Sequence, residues 1–158
     1  MDRTIKRRHN RHAITIRIET MYTSKDAIAL IRTRNLLHMN ISILKAAYCS
    51  KSGISEREAS HEMSLLQYYI SVIDSLLSVL NYTEAFVIRS KLIEGMDWQQ
   101  ISIRYEQTWG IGGGRTIRAF QLRFRSGIAK IVGIMNRHSI TTWDEILEAQ
   151  SYWLLEHE

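Results

Sequence analysis

The sequence contains no proline and a single cysteine, so nothing in it forces a helix to break and nothing can build a disulfide framework or a cysteine-rich zinc site. The lone thiol, Cys49, fits a reducing compartment such as the cytoplasm. Long apolar runs are missing as well. No stretch approaches the roughly 18 consecutive apolar residues of a membrane span, and the basic N-terminus has no apolar signal core behind it. Glycine is scarce, eight residues in 158, and four of the eight fall between Gly110 and Gly114. With 45% hydrophobic residues and interspersed charges of both signs, the chain can bury the core of one compact domain. These features predict a soluble, cytoplasmic, all-α protein with no membrane partner.

Catalytic patterns are also lacking. His61-Glu62 opens a zinc-protease pattern, but position 65 is leucine, so the second metal ligand one helical turn later is absent. Gly110-x-Gly112-x-x-Arg115 lacks the last glycine of a dinucleotide fingerprint and follows a helical pattern rather than a strand. No Gly-Lys-Ser or Gly-Lys-Thr phosphate loop occurs, and Cys49 has no histidine near it in sequence. The terminal Glu156-His157-Glu158 reads as a frayed end. The expectation is a protein that is not an enzyme, with no metal and no cofactor.

What the sequence does contain is charge in blocks. Residues 1 to 17 carry six Lys or Arg against Asp2 alone, and residues 115 to 130 carry Arg115, Arg118, Arg123, Arg125 and Lys130 with no acid. The remainder holds ten basic against fifteen acidic residues, and residues 144 to 158 hold five acids with no Lys or Arg. Two basic blocks on an acidic body predict a surface that faces a polyanion.

Periodicity supplies the elements. Residues 13 to 19 alternate apolar and polar side chains, the signature of a short strand. From Ser24, taken as an N-cap, apolar positions at helical spacing from Ile28 to Tyr48 predict a helix to about Cys49. Ser55 with Glu58 forms a capping box for a second helix, whose stripe contains Leu66, Tyr69, Ile70, Ile73, Leu76, Leu77 and Leu80. The two make a helical hairpin whose stripes are wide enough to need further partners, either the C-terminal half of the chain or a second copy. Leu66, Tyr69, Ile73 and Leu77 are therefore assigned to core and to an oligomer or partner contact, a dimer being favoured. Thr83 then caps a helix to Glu94, and Asp97 with Gln100 caps another to about Gln107. Past the glycine turn, Ile117, Phe120, Phe124, Ile128 and Ile131 line one face of a helix from Thr116 to about Met135, with the arginines mostly off that face. Thr142 with Glu145 opens a last helix containing Trp143, Ile146, Leu147, Trp153 and Leu154.

Tyr82-Thr-Glu-Ala-Phe-Val-Ile-Arg, then Leu92, Gly95-Met-Asp-Trp98, Ile101, Tyr105, the glycine turn and Arg115-Thr-Ile-Arg118 follow in this order. The pattern resembles the helix-turn-helix of region 4 in RNA polymerase sigma factors, and phage late transcription regulators of the ArpU/RinA type. The likeness covers roughly residues 82 to 128, with a lengthened turn, and implies DNA binding by the helix starting near Thr116. Independently, the leading turns of a helix in the major groove face base edges while its flanks meet phosphates. Thr116, Arg118 and Gln121 are assigned to base reading. Arg115, Arg123, Arg125 and Lys130 are assigned to phosphate, with Arg7, Arg8 and Arg11 of the N-terminal arm.

The expected organisation is a basic arm over residues 1–23, a hairpin over 24–81, a helix-turn-helix over 82–136 and an acidic C-terminal helix over 137–158. The expected function is sequence-specific transcriptional regulation on double-stranded DNA, in a phage or mobile element. The alternatives are a small-terminase-like packaging subunit and an interaction protein that binds RNA polymerase.

Overall fold

In the computed structural model, which describes residues 22–49, 55–110, 116–138 and 142–148, all regular structure is helical. The strand expected at residues 13–19, and Trp153 and Leu154 of the last helix, lie outside the described residues. No helix of the described residues is long and apolar enough to cross a membrane.

Helix α1, Ser24–Cys49, runs without interruption for 26 residues, as a chain without proline allows. Ser24 is already helical; the cap lies one residue earlier, where Thr23 and Asp26 exchange bonds, the Asp26 carboxylate accepting the Thr23 amide at 2.7 Å. Helix α2, Glu56–Ser78, starts at the expected Ser55–Glu58 capping box. Arg34 of α1 grips Asp74 of α2 with two hydrogen bonds, Nε at 2.9 Å and Nη2 at 3.2 Å, which fixes the register of the pair.

The next helix, α3, Tyr82–Ile88, is capped by Asn81 rather than Thr83. The Asn81 side chain accepts the Glu84 amide and the Glu84 carboxylate accepts the Asn81 amide, at 2.9 and 3.2 Å, so the box opens two residues earlier than expected. The helix also does not stay α-helical to Glu94. It widens into a π turn, Arg89–Ile93, where the Glu94 amide reaches back to the Arg89 carbonyl at 3.0 Å. Asn35 of α1 donates to the Ile93 carbonyl, and Gly95 with φ of +70° lets the chain leave. Helix α4, Trp98–Trp109, opens at the Asp97–Gln100 capping box, and Gly110 at φ +83° ends it. Helix α5, Ile117–Arg137, is capped by Thr116, and a short helix α6 covers 142–148. Thr142 is helical and thus not the N-cap; Glu145 instead accepts the Tyr69 hydroxyl at 3.1 Å.

The main core collects Leu30, Ile31 and Leu37 of α1 with Ile73 and Leu77 of α2, Ile88 of α3, Ile128, Ile131 and Met135 of α5, and Trp143 and Ile146 of α6. One core therefore spans the boundary drawn at residue 81. Leu66, Tyr69, Ile73 and Leu77 are all buried within the single chain, which bears out their assignment to the core and corrects the further assignment to an oligomer or partner surface. The wide stripe of α2 finds its extra partners in α5 and α6. Tyr48, at the far end of the α1 pattern, is exposed. Among the described residues, buried Asn40 has no hydrogen-bond partner for either side-chain polar atom, a cost this core carries.

A buried carboxylate joins the two halves. Glu84 is 1% exposed, and besides the Asn81 amide it accepts Ser126 Oγ and Lys130 Nζ of α5, both at 2.8 Å. Burial by itself would raise its pKa; the bonds from Lys130, Ser126 and the Asn81 amide outweigh burial and hold it below the ordinary 4.5. One turn away, Gly127 brings α5 against α3. A Cβ built there would stand 2.5 Å from Ile88 Cδ1 and 3.3 Å from Glu84 Cβ, so the fully buried Ile88 would have to shift within the core.

Because the folded pKa of Glu84 lies below its unfolded value, its contribution is complete above about pH 4.5 and is lost as pH falls through the folded value. Lys130→Met is expected to cost about 2 kcal/mol near neutral pH, less than a fully buried pair because Lys130 is half-exposed, and, by raising the folded pKa of Glu84 toward its unfolded value, to flatten the loss of stability in acid. Urea titrations across pH read both effects, and an unchanged acid limb would refute them. Gly127→Val is expected to lose about 2 kcal/mol or more by overpacking against Ile88, seen as a lower urea midpoint at constant slope.

Candidate nucleic-acid interface

Helices α3, α4 and α5 build a second, smaller core of their own. Val87, Ile101 and Phe120, one from each helix, are buried at its centre, and Phe86, Met96, Trp98, Tyr105 and Phe124 surround them. The aromatic rings meet edge-on: Phe86 with Tyr105 at 5.6 Å, Tyr105 with Phe120 at 5.2 Å and Trp98 with Phe124 at 5.7 Å. Such contacts fix orientation beyond what area burial alone supplies. Lys91 Nζ lies 5.0 Å over the Trp98 ring and donates to the Met96 carbonyl, and Arg104 pairs with Glu94, so the bend between the π turn and α4 is held from both sides. The sequence-predicted face of Trp98, Ile101 and Tyr105 is thus the face that packs.

Helix α5 belongs to both cores. Phe120 lies in the small one, Ile128, Ile131 and Met135 lie in the main one, and Phe124 packs against both. The helix is consequently clamped along one side for most of its length. Its opposite side carries the basic residues. Arg118, Arg123 and Arg125 are exposed, and none of the three forms an ion pair or hydrogen bond with a described residue.

Position on the helix separates these residues. Seven residues are almost two full turns, so Arg118 and Arg125 share one line, with exposed Leu122 between them, while Arg123 lies well to its side. Gln121 sits at the margin, half-buried next to the packed face. The Thr116 hydroxyl is the helix cap, its oxygen accepting the Ala119 amide at 3.3 Å. Lys130, expected on phosphate, is instead bonded to Glu84, and its charge answers that buried carboxylate. Ile117, expected on the core face, stands exposed at the helix start, where the packed surface has not yet begun. Arg115, Arg7, Arg8 and Arg11 lie outside the described residues.

Leu122 is not among the residues that the sequence assigns to the site, and it is the most exposed large apolar side chain on α5, at 55%. The signal was present in the spacing: it follows Arg118 by four residues and precedes Arg125 by three.

Comparison of the chain with protein-family models, with curated proteins and with solved structures finds no match in any of the three.

Thr116→Ala removes the one side-chain cap of α5 and is expected to cost about 1 kcal/mol, with Thr116→Ser close to neutral. Urea denaturation measures the difference, and amide exchange should accelerate first at Ala119, the donor in that bond.

Proposed function

We propose that this chain binds double-stranded DNA by laying the first half of α5 in the major groove, and that it acts as a sequence-specific transcriptional regulator of the sigma region 4-like kind. The observation that carries the reading is the division of α5. One side is fixed by two cores, and the other presents Arg118, Arg123 and Arg125 with no charge partner among the described residues. A rigid helix with three unanswered guanidiniums fits a polyanion of defined shape, and the major groove admits one helix. Arg118, at the leading turn, is assigned to a guanine edge. Arg123, to the side, is assigned to phosphate. Arg125 shares the outward line with Arg118 and meets the groove two turns further along, between base edge and backbone. Gln121 reaches the base edges only from the margin of that face.

Selection from random duplex at about physiological salt, followed by titration of an enriched site against a scrambled duplex, tests this. Arg118→Ala is expected to reduce discrimination between the two by about 1–3 kcal/mol. Arg123→Ala is expected to weaken both equally and to lower the salt slope by about one. Equal losses for both variants on both duplexes would overturn the assignment of roles, and absence of duplex binding would overturn the function.

A further inference from the structure

We propose that Leu122 is a specificity-determining residue that reads the C5-methyl group of a thymine, one per bound copy of the chain, from between Arg118 and Arg125. This rests on the major-groove reading of α5 and adds to it the base class at one position.

Leu122 is 55% exposed on the outward line of a helix whose other side is packed. A helix rises about 1.5 Å per residue, so Leu122 stands about 6 Å along the axis from Arg118 and about 4.5 Å from Arg125. Base pairs stack at about 3.4 Å. The three side chains therefore span about three base-pair steps, and a helix seated deeply enough for Arg118 to reach a base edge brings Leu122 against an edge as well.

The chemistry of that edge is then restricted. In the major groove guanine offers two acceptors, adenine an acceptor and a donor, cytosine a donor, and thymine an acceptor beside a methyl group. A leucine placed over a donor or acceptor strips it of water and supplies no hydrogen bond, which is unfavourable. Only thymine offers it an apolar surface. Leu122 thus selects in two ways, by contact with the methyl group and by penalising the polar edges of the other bases. The flanking arginines hold the helix close enough for the contact to form.

The test uses the full chain and an enriched duplex in which each thymine in turn is replaced by deoxyuridine, which deletes only the C5-methyl group. Burying one such group corresponds to about 0.8 kcal/mol, or about fourfold in affinity. The wild-type protein is expected to bind about fourfold more weakly when one particular thymine, or its symmetry mate in a two-fold site, is replaced. Leu122→Ala is expected to bind the thymine and uracil forms alike, while matching wild type on scrambled duplex, where the backbone contacts act. Indifference of the wild type to every deoxyuridine would overturn the inference, as would a penalty that persists in Leu122→Ala. Failure to enrich any duplex would show a different fault, in the major-groove reading itself, and the inference would fall with it.

Discussion

The arrangement of this molecule depends on the place where α3 and α5 touch. Glu84 is buried there as a carboxylate, answered by Lys130, Ser126 and the Asn81 amide, and Gly127 has no side chain to hold the helices apart. The two features require each other. The carboxylate tolerates burial only with its partners in place, and the partners reach it only because α5 comes close at Gly127. From that junction one half of α5 is directed into the core built on α1 and α2, and the other into the aromatic cluster of α3 and α4.

The consequence for the surface is that a long helix is fixed along its inner side by two separate sets of apolar contacts. Its outer side needs no stabilising role and carries Arg118, Leu122, Arg123 and Arg125. Lys130 marks the end of this outer basic face, because there the positive charge turns inward to Glu84. A basic block that appears continuous in sequence is in fact divided between an internal charge pair and an outward surface. The proposed nucleic-acid function concerns only the outward part.

Of the two partners that the apolar stripe of the hairpin allowed, the C-terminal half and a second copy, the core uses the first. Leu66, Tyr69, Ile73 and Leu77 are buried by the chain's own helices, and Tyr69 is further tied to α6 through Glu145. Just ahead of α1, Tyr22 donates to Asp144 at 2.7 Å while its main chain is paired with Asn136; burial and that carboxylate push its hydroxyl up to about 12. The hairpin is thus the support against which α5 and α6 are held, and a contact between copies would have to use other residues.

Local patterns were legible in the sequence by themselves: the absence of proline behind an uninterrupted 26-residue α1, the capping boxes at Ser55 and Asp97, and the packed face of Phe120, Phe124, Ile128 and Ile131. Each rests on residues within one or two turns of one another, where spacing alone carries the geometry. Asn81 with Glu84 was equally local, but the neighbouring Thr83 drew the cap to the wrong residue. The π turn accepts a hydrogen bond from a side chain of α1, 58 residues away, a partner that spacing at its own position does not show. The partners of Glu84 stand 42 and 46 residues away, and a stripe of leucines reads the same whether another copy or its own chain covers it. Which charges are answered and which face outward was therefore decided only by tertiary structure, because burial and pairing belong to residues that spacing along the chain does not relate.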